Sequence, residues 1–281
     1  MESMTYCVAI KLNQGLVCLS DTRTNAGLDN IARFKKMFTW QVQNDRAMTL
    51  MTSGNLSVTQ SVISSLQETI DRAADTGAET ILNAPSMFRV AEIVGNTMTT
   101  VQGRLGPDLA ARGENSSAMI LLAGQVSGGN LRLFQIYSAG NFIEATTDTP
   151  FFQIGEHKYG KPILDRTITP QTSLEDATLC ALVSMDSTLR SNLSVGMPLD
   201  LSVLPINSFN FSRLERIEDD DPAFDALSAE WSASLSDAFA RMREKINKQA
   251  LQSTNPQSQQ QIQAQQQMQQ LIGDGSRNME S

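Results

Sequence analysis

The chain has 281 residues, 41% of them hydrophobic and 19% charged, an ordinary globular composition with material for one large domain or two small ones. A net charge of −8 argues against a general nucleic-acid surface or attachment to an anionic membrane. No stretch reaches the uninterrupted apolar length of a membrane span, and the alternating start from Met1 to Ile10 is unlike a secretion signal.

The first third reads as strands. From Thr5 to Leu12 the chain alternates, with Tyr6, Val8, Ile10 and Leu12 on one face and Cys7 and Ala9 on the other. Asn13-Gln14-Gly15 is a tight turn, and Leu16 to Ser20 returns as a second strand. The polar segment from Asp21 to Asn30 is expected to be loop, before a strand pair at Phe34–Trp40 and Arg46–Ser53. Two helices follow. One spans Leu56 to Ala74, with Val58, Val62, Ile63, Leu66 and Ile70 on one stripe. The other is opened by Pro85 and carries Phe88, Val90, Ala91, Ile93, Val94 and Met98 as its apolar positions; it ends near Gly103 or continues to Arg112, and Gly106-Pro107 favours a break or kink. Strands resume at Ser117–Val126, Leu131–Tyr137 and Phe151–Gly155. Helical patterning restarts at Lys158 and runs from Ser173 to about Arg190, and Leu199–Ile206 is a late strand. Cys7, Cys18 and Cys180 give neither zinc spacing nor a disulfide framework; Cys7 and Cys18 read as small buried hydrophobes, and a reducing cytoplasm is expected.

Strands, two helices, strands, two helices and a strand fit two stacked sheets with a helical pair on each outer face. The expected fold is therefore α+β, a four-layer α/β/β/α sandwich. Beyond Arg216 an acidic run leads into an amphipathic helix from Asp225 to Asn247, and then a Gln-rich run follows. The expected division is a domain over residues 5–247 and a disordered tail over 248–281.

The opening blocks Thr5 to Lys11, Ser20 to Asn25, Phe34 to Phe38 and Thr52 to Asn55 resemble proteasome β-type subunits. The later blocks Gly155 to Arg166 and Arg190 to Gly196 resemble the bacterial branch called Anbu, the ancestral β subunit. The resemblance covers roughly residues 4 to 245 and implies an N-terminal-nucleophile hydrolase cleaving amide or peptide bonds. Its chemistry is that of a threonine hydroxyl activated by its own α-amine, whose unperturbed pKa near ~8 leaves a neutral fraction at cytoplasmic pH. A lysine ammonium close by favours that neutral amine, a carboxylate holds the lysine in place, and a backbone N–H receives the oxyanion.

The resemblance places these roles by position. Thr5 matches the nucleophile, Asp21 the carboxylate and Arg23 the structural arginine beside it. Lys36 matches the lysine, with Lys35 the fallback if the strand register slips. Gly54 matches the oxyanion-hole glycine, and Ser194 a serine that supports the amine. No cofactor or metal is implied. Two positions depart from the family. Ser191 stands where proteasome subunits carry an acid, and Gly155-Glu156-His157 replaces a Gly-Ser-Gly run, setting the single histidine, read as a polar loop residue, near the cleft.

Met1 to Met4 precede Thr5, and the nucleophile acts only as a first residue. Translation from Met4 with removal of that methionine is the expected route, ahead of self-cleavage or a silent site. The expected partners are further copies of the chain, as dimers stacking into an open ring or spiral, and a peptide or other amide substrate. The competing expectation is a catalytically weak or silent assembly subunit of the same fold. A third is a regulatory module that binds through its Gln-rich tail.

Overall fold

The structure is a computed structural model that describes residues 5–25 and 31–253. The chain divides into two compact units, one reaching Leu227 and one starting at Ser228. The first unit holds two five-stranded antiparallel sheets. One contains β1 (Tyr6–Leu12), β2 (Gly15–Asp21), β10 (Phe151–Gly155), β11 (Leu199–Pro205) and β12 (Arg213–Ile217), in the order β10-β1-β2-β11-β12. The other contains β5 (Met37–Val42), β6 (Arg46–Gly54), β7 (Ala118–Val126), β8 (Arg132–Ile136) and β9 (Phe142–Glu144), in chain order.

The alternation of side chains along each strand builds three apolar layers. On β1, Tyr6, Val8, Ile10 and Leu12 pack outward against α3 (Lys161–Thr167) and α4 (Leu174–Ser191) through Leu164, Ala177, Ala181 and Met185. Met48, Leu50, Ile120 and Leu122 face α1 (Leu56–Thr76) and α2 (Met87–Ala111) in the same way. Between the sheets lie Cys7, Ala9, Cys18, Ala47, Met51, Leu121 and Ala123. Larger side chains, Leu16, Met37, Leu133, Phe152 and Ile154 among them, fill the rest of this middle layer. The result is the α/β/β/α sandwich, with both faces of the central strands β1, β2, β6, β7 and β11 buried.

Helix ends are set locally. Asn55 caps α1, its side chain accepting from the N–H groups of Ser57 and Val58, and Gly77 closes the helix in a left-handed conformation. Ser86, rather than Pro85, caps α2, which passes through Pro107 without ending and reaches Ala111. Phe88 lies on its exposed side and meets Phe142 edge to face at 5.4 Å. The segment expected to be loop from Asp21 includes a short strand, β3 (Arg23–Asn25), paired with β4 (Ile31–Arg33); residues 26–30 lie outside the described residues. Strand β12 is a further addition. Its Arg213, Leu214, Glu215 and Arg216 are all exposed, so an edge strand carries no period-two apolar signal.

Helix α5 (Pro222–Ser253) extends the expected helix at both ends, and from Ser228 it makes up the described part of the second unit. Of its apolar positions, Leu235, Phe239 and Met242 are exposed. The Gln-rich run expected to be disordered lies outside the described residues. No helix among the described residues is long and apolar enough to cross a membrane.

All three cysteines are buried free thiols. Burial pushes the Cys18 thiol up to about 12, against hydrogen bonds from Ser202 and Thr49, and pushes Cys7 and Cys180 up as well. The native protein is therefore expected to leave Ellman's reagent unreduced at pH 8, and to release three equivalents once unfolded in guanidinium. Rapid release of even one equivalent from native protein would contradict this packing.

Candidate active site

Thr5 stands at the head of β1 and is 6% exposed. Two contacts fix the strand there. The Tyr6 phenol is buried under α4, paired with Ser184 Oγ at 2.9 Å and accepting from Gln153 Nε2 at 2.6 Å. On the other side the β1–β10 ladder pairs Tyr6 with Gly155, and the Glu156 N–H donates to the Thr5 carbonyl at 2.6 Å. Gly155 has φ +85°, and a Cβ placed on it would lie 2.0 Å from that carbonyl oxygen. Only glycine lets the two backbones come this close.

Asp21 ends β2 and is fully buried. Its Oδ1 accepts from Lys36 Nζ at 2.7 Å and from the Tyr6 N–H at 3.1 Å, while Oδ2 accepts from the Gly196 N–H at 3.3 Å. One carboxylate thus ties together the residue after Thr5, the lysine before β5 and the loop after α4. Burial raises the Asp21 carboxyl above its ordinary range, opposed by the Lys36 charge and by these donors. Lys36 is 4% exposed and also donates to the Arg23 carbonyl at 2.6 Å. Strand β5 begins at Met37, one residue beyond Lys36, and Lys35 points to the exposed side with its ammonium 5.6 Å from the Phe38 ring. Lys36 is therefore the lysine that joins Asp21, and Lys35 is not.

Gly54 closes β6 with φ +102°, and a Cβ there would lie 2.3 Å from the Ser117 carbonyl oxygen. It lies two residues beyond Thr52, whose N–H donates to the Lys36 carbonyl at 3.0 Å. Ser194 sits in the loop between α4 and β11. That loop is held on the end of β2 by Gly196, by Thr22 Oγ1 donating to the Pro198 carbonyl at 2.7 Å, and by Arg23 Nη1 donating to the Leu193 carbonyl at 3.2 Å. Arg23 lies flat against Gly196, where a Cβ would come within 2.1 Å of Nε, which makes its part structural. The Ser194 hydroxyl and N–H both donate to Asn192 Oδ1.

No protein-family model and no curated protein matches the chain. Solved structures do. The chain is similar to Anbu (ancestral β-subunit) from Yersinia bercovieri at 46% identity and a TM-score of 0.78, over 84% of this chain and 97% of that one. The chain belongs to the Anbu family. Anbu from Pseudomonas aeruginosa, solved as a helical assembly, matches at 48% identity and a TM-score of 0.80, over 84% and 96% of the two chains. Anbu from Hyphomicrobium sp. strain MC1 matches at 46% identity and a TM-score of 0.75, over 84% and 97%.

Within this Anbu chain the Gly155-Glu156-His157 run divides between a buried and an exposed side chain, and His157 is the polar loop residue expected. His157 is exposed beside a groove of about 320 Å³ along the β10 edge, with Phe151, Gln153, Lys161 and Asp165 among its walls. Glu156 is the buried member, with its side chain on Asn192 Nδ2 at 3.2 Å. Neither Glu156 nor Asn192 stood out as a site residue in the sequence. The available signal was the ladder itself: if Thr5 heads β1 and β10 pairs with it, the residue after Gly155 falls opposite Thr5.

Proposed function

We propose that this Anbu chain is a threonine-type N-terminal-nucleophile hydrolase of amide or peptide bonds, acting through Thr5 as the first residue. The observation that carries the reading is the buried Lys36–Asp21 pair, bonded through one carboxylate oxygen to the N–H that directly follows Thr5. A buried ion pair is costly to assemble and gives little net stability, so its position beside a strand's first residue points to chemistry.

In this reading the free Thr5 amine takes the hydroxyl proton as Oγ1 attacks the substrate carbonyl. The Lys36 ammonium disfavours a second positive charge and so keeps the amine available as a base. The Gly54 N–H receives the developing oxyanion. Collapse of the tetrahedral adduct expels the amine product, which takes the proton, and leaves an ester on Thr5. Water activated by the same amine then hydrolyses that ester. The catalytic domain covers residues 5–247, with 248–281 as a tail, and the enzyme works in the cytoplasm. Its Pseudomonas aeruginosa relative is described as a helical assembly, which supports self-association here as dimers stacked into an open ring or spiral.

The test is a full-length chain whose intact mass shows Thr5 as first residue, assayed on fluorogenic peptide amides and with a threonine-directed β-lactone. Hydrolysis and a lactone adduct are expected, and Thr5→Ala is expected to lose both, with the rate falling by on the order of 10³-fold or more. A Thr5-first chain that neither hydrolyses nor forms the adduct would leave the silent assembly subunit as the function.

A further inference from the structure

We propose that Glu156 is a positioning residue of this site: through Asn192 it fixes the Ser194 hydroxyl, and its carboxylate supplies a negative charge beside the Thr5 amine. The inference rests on the hydrolase reading for its catalytic consequence. The geometry under it does not.

Glu156 touches the site twice. Its backbone N–H holds the Thr5 carbonyl at 2.6 Å, which continues the register Tyr6↔Gly155 and Cys7↔Ile154 and sets Glu156 opposite Thr5 across the ladder. The adjoining Cys7↔Ile154 pair lies in the buried layer between the sheets, and Glu156 is buried beside it. Its carboxylate accepts from Asn192 Nδ2 at 3.2 Å and from the Lys158 N–H at 3.3 Å, both neutral donors. The same Asn192 side chain accepts from the Ser194 hydroxyl and N–H. With its amide nitrogen committed to Glu156, Asn192 can present only its oxygen to Ser194. The Ser194 proton is thereby held on Asn192, leaving lone pairs on Ser194 Oγ to accept a hydrogen bond from the amine.

A carboxylate only 8% exposed and bonded to neutral donors carries a desolvation cost. Among the described residues, the other charged groups around the head of β1 have partners of their own. Asp21 holds Lys36, Asp186 on α4 faces Arg190 at 3.3 Å, and the Arg23 guanidinium donates to the Leu193 carbonyl. The positive charge that Glu156 can answer is the ammonium formed when the Thr5 hydroxyl proton moves to nitrogen. Lys36 and Glu156 then act in opposition: one keeps the resting amine neutral, and the other steadies its protonated form during attack. A carboxylate from the β10 end would do for this chain what Ser191, at the end of α4, lacks the charge to do.

The experiment uses the full Thr5-first chain and its Glu156→Gln and Asn192→Ala variants. The α-amine is titrated directly by reductive methylation with labelled formaldehyde and NMR, a readout that needs no turnover. Glu156→Gln keeps shape and hydrogen-bonding capacity while removing charge, so the amine is expected to titrate on the order of one pH unit lower. The acid limb of kcat/KM moves with it, and kcat falls roughly tenfold at unchanged KM. Asn192→Ala lowers kcat alike and leaves the amine titration in place. An amine that titrates identically in wild type and Glu156→Gln would overturn the proposal, as would an unchanged kcat in both variants. A shifted amine in a chain without any hydrolysis would uphold the charge assignment and sink the hydrolase reading instead.

Discussion

Lys36→Ala is expected to destabilise the fold by about 3–5 kcal/mol and to abolish hydrolysis by the Thr5-first chain. The variant leaves the Asp21 carboxylate buried with its N–H donors from Tyr6 and Gly196 but without a countercharge. For a domain of this size the midpoint of thermal unfolding should drop by roughly 6–20 °C. The loss should depend on pH in a definite direction. Burial raises the folded Asp21 carboxyl above its ordinary 3.8, against the Lys36 charge, the strongest opposing influence. A carboxyl raised in the folded state binds its proton more tightly there than in the unfolded chain. Its contribution to stability is therefore full below the unfolded value and declines as pH rises through the folded one. Removing Lys36 raises the folded value further, so the deficit of Lys36→Ala should be smaller at pH 5 than at pH 8. Adding Asp21→Asn should recover much of the stability, because the orphaned charge is gone, and recover none of the hydrolysis. Midpoints within two or three degrees of wild type at about pH 8 would show that the pair is not the buried charge pair described.

Gly155→Ala should be nearly as damaging to activity while disturbing the fold less. Its backbone sits at φ +85°, where a non-glycine residue costs about 1–3 kcal/mol, and the added methyl meets the Thr5 carbonyl oxygen at 2.0 Å. That oxygen cannot retreat without losing the bond from the Glu156 N–H, so the head of β1 must shift. A displacement on the order of 1 Å at the nucleophile corresponds to about a 10²-fold loss in kcat. Gly128→Ala is the control. It carries comparable strain at φ +75° with open space around its Cβ, and it should keep full hydrolysis. Equal activity in the two variants would separate Gly155 from the positioning of Thr5.

The architecture was largely legible in the sequence because a buried sandwich writes itself into periodicity. The split of β1 into Tyr6, Val8, Ile10 and Leu12 against Cys7 and Ala9 reappears as two different apolar layers. The α1 stripe through Val58, Val62 and Leu66 is buried as its spacing requires. Strand β12 was not legible, since an exposed edge of Arg213, Glu215 and Arg216 has no buried face to mark it. Pro107 suggested a break that α2 does not make, and Phe88 counted as core on its spacing but lies exposed against Phe142.

What the sequence by itself determined is the set of local preferences, the strand and helix periods, while family resemblance supplied the expectation that Thr5, Asp21, Lys36, Gly54 and Ser194 belong to one candidate site. Tertiary structure decided everything that depends on which distant strands lie side by side. Pairing of β10 with β1 sets Glu156 opposite Thr5 across some 150 residues of chain, turns His157 outward and demands glycine at position 155. The loop after α4 then brings Asn192 onto the Glu156 carboxylate and Gly196 onto Asp21. Periodicity reports which face of an element is buried, while the partner that buries it is fixed only when the sheets close, and it is the partners that make this site.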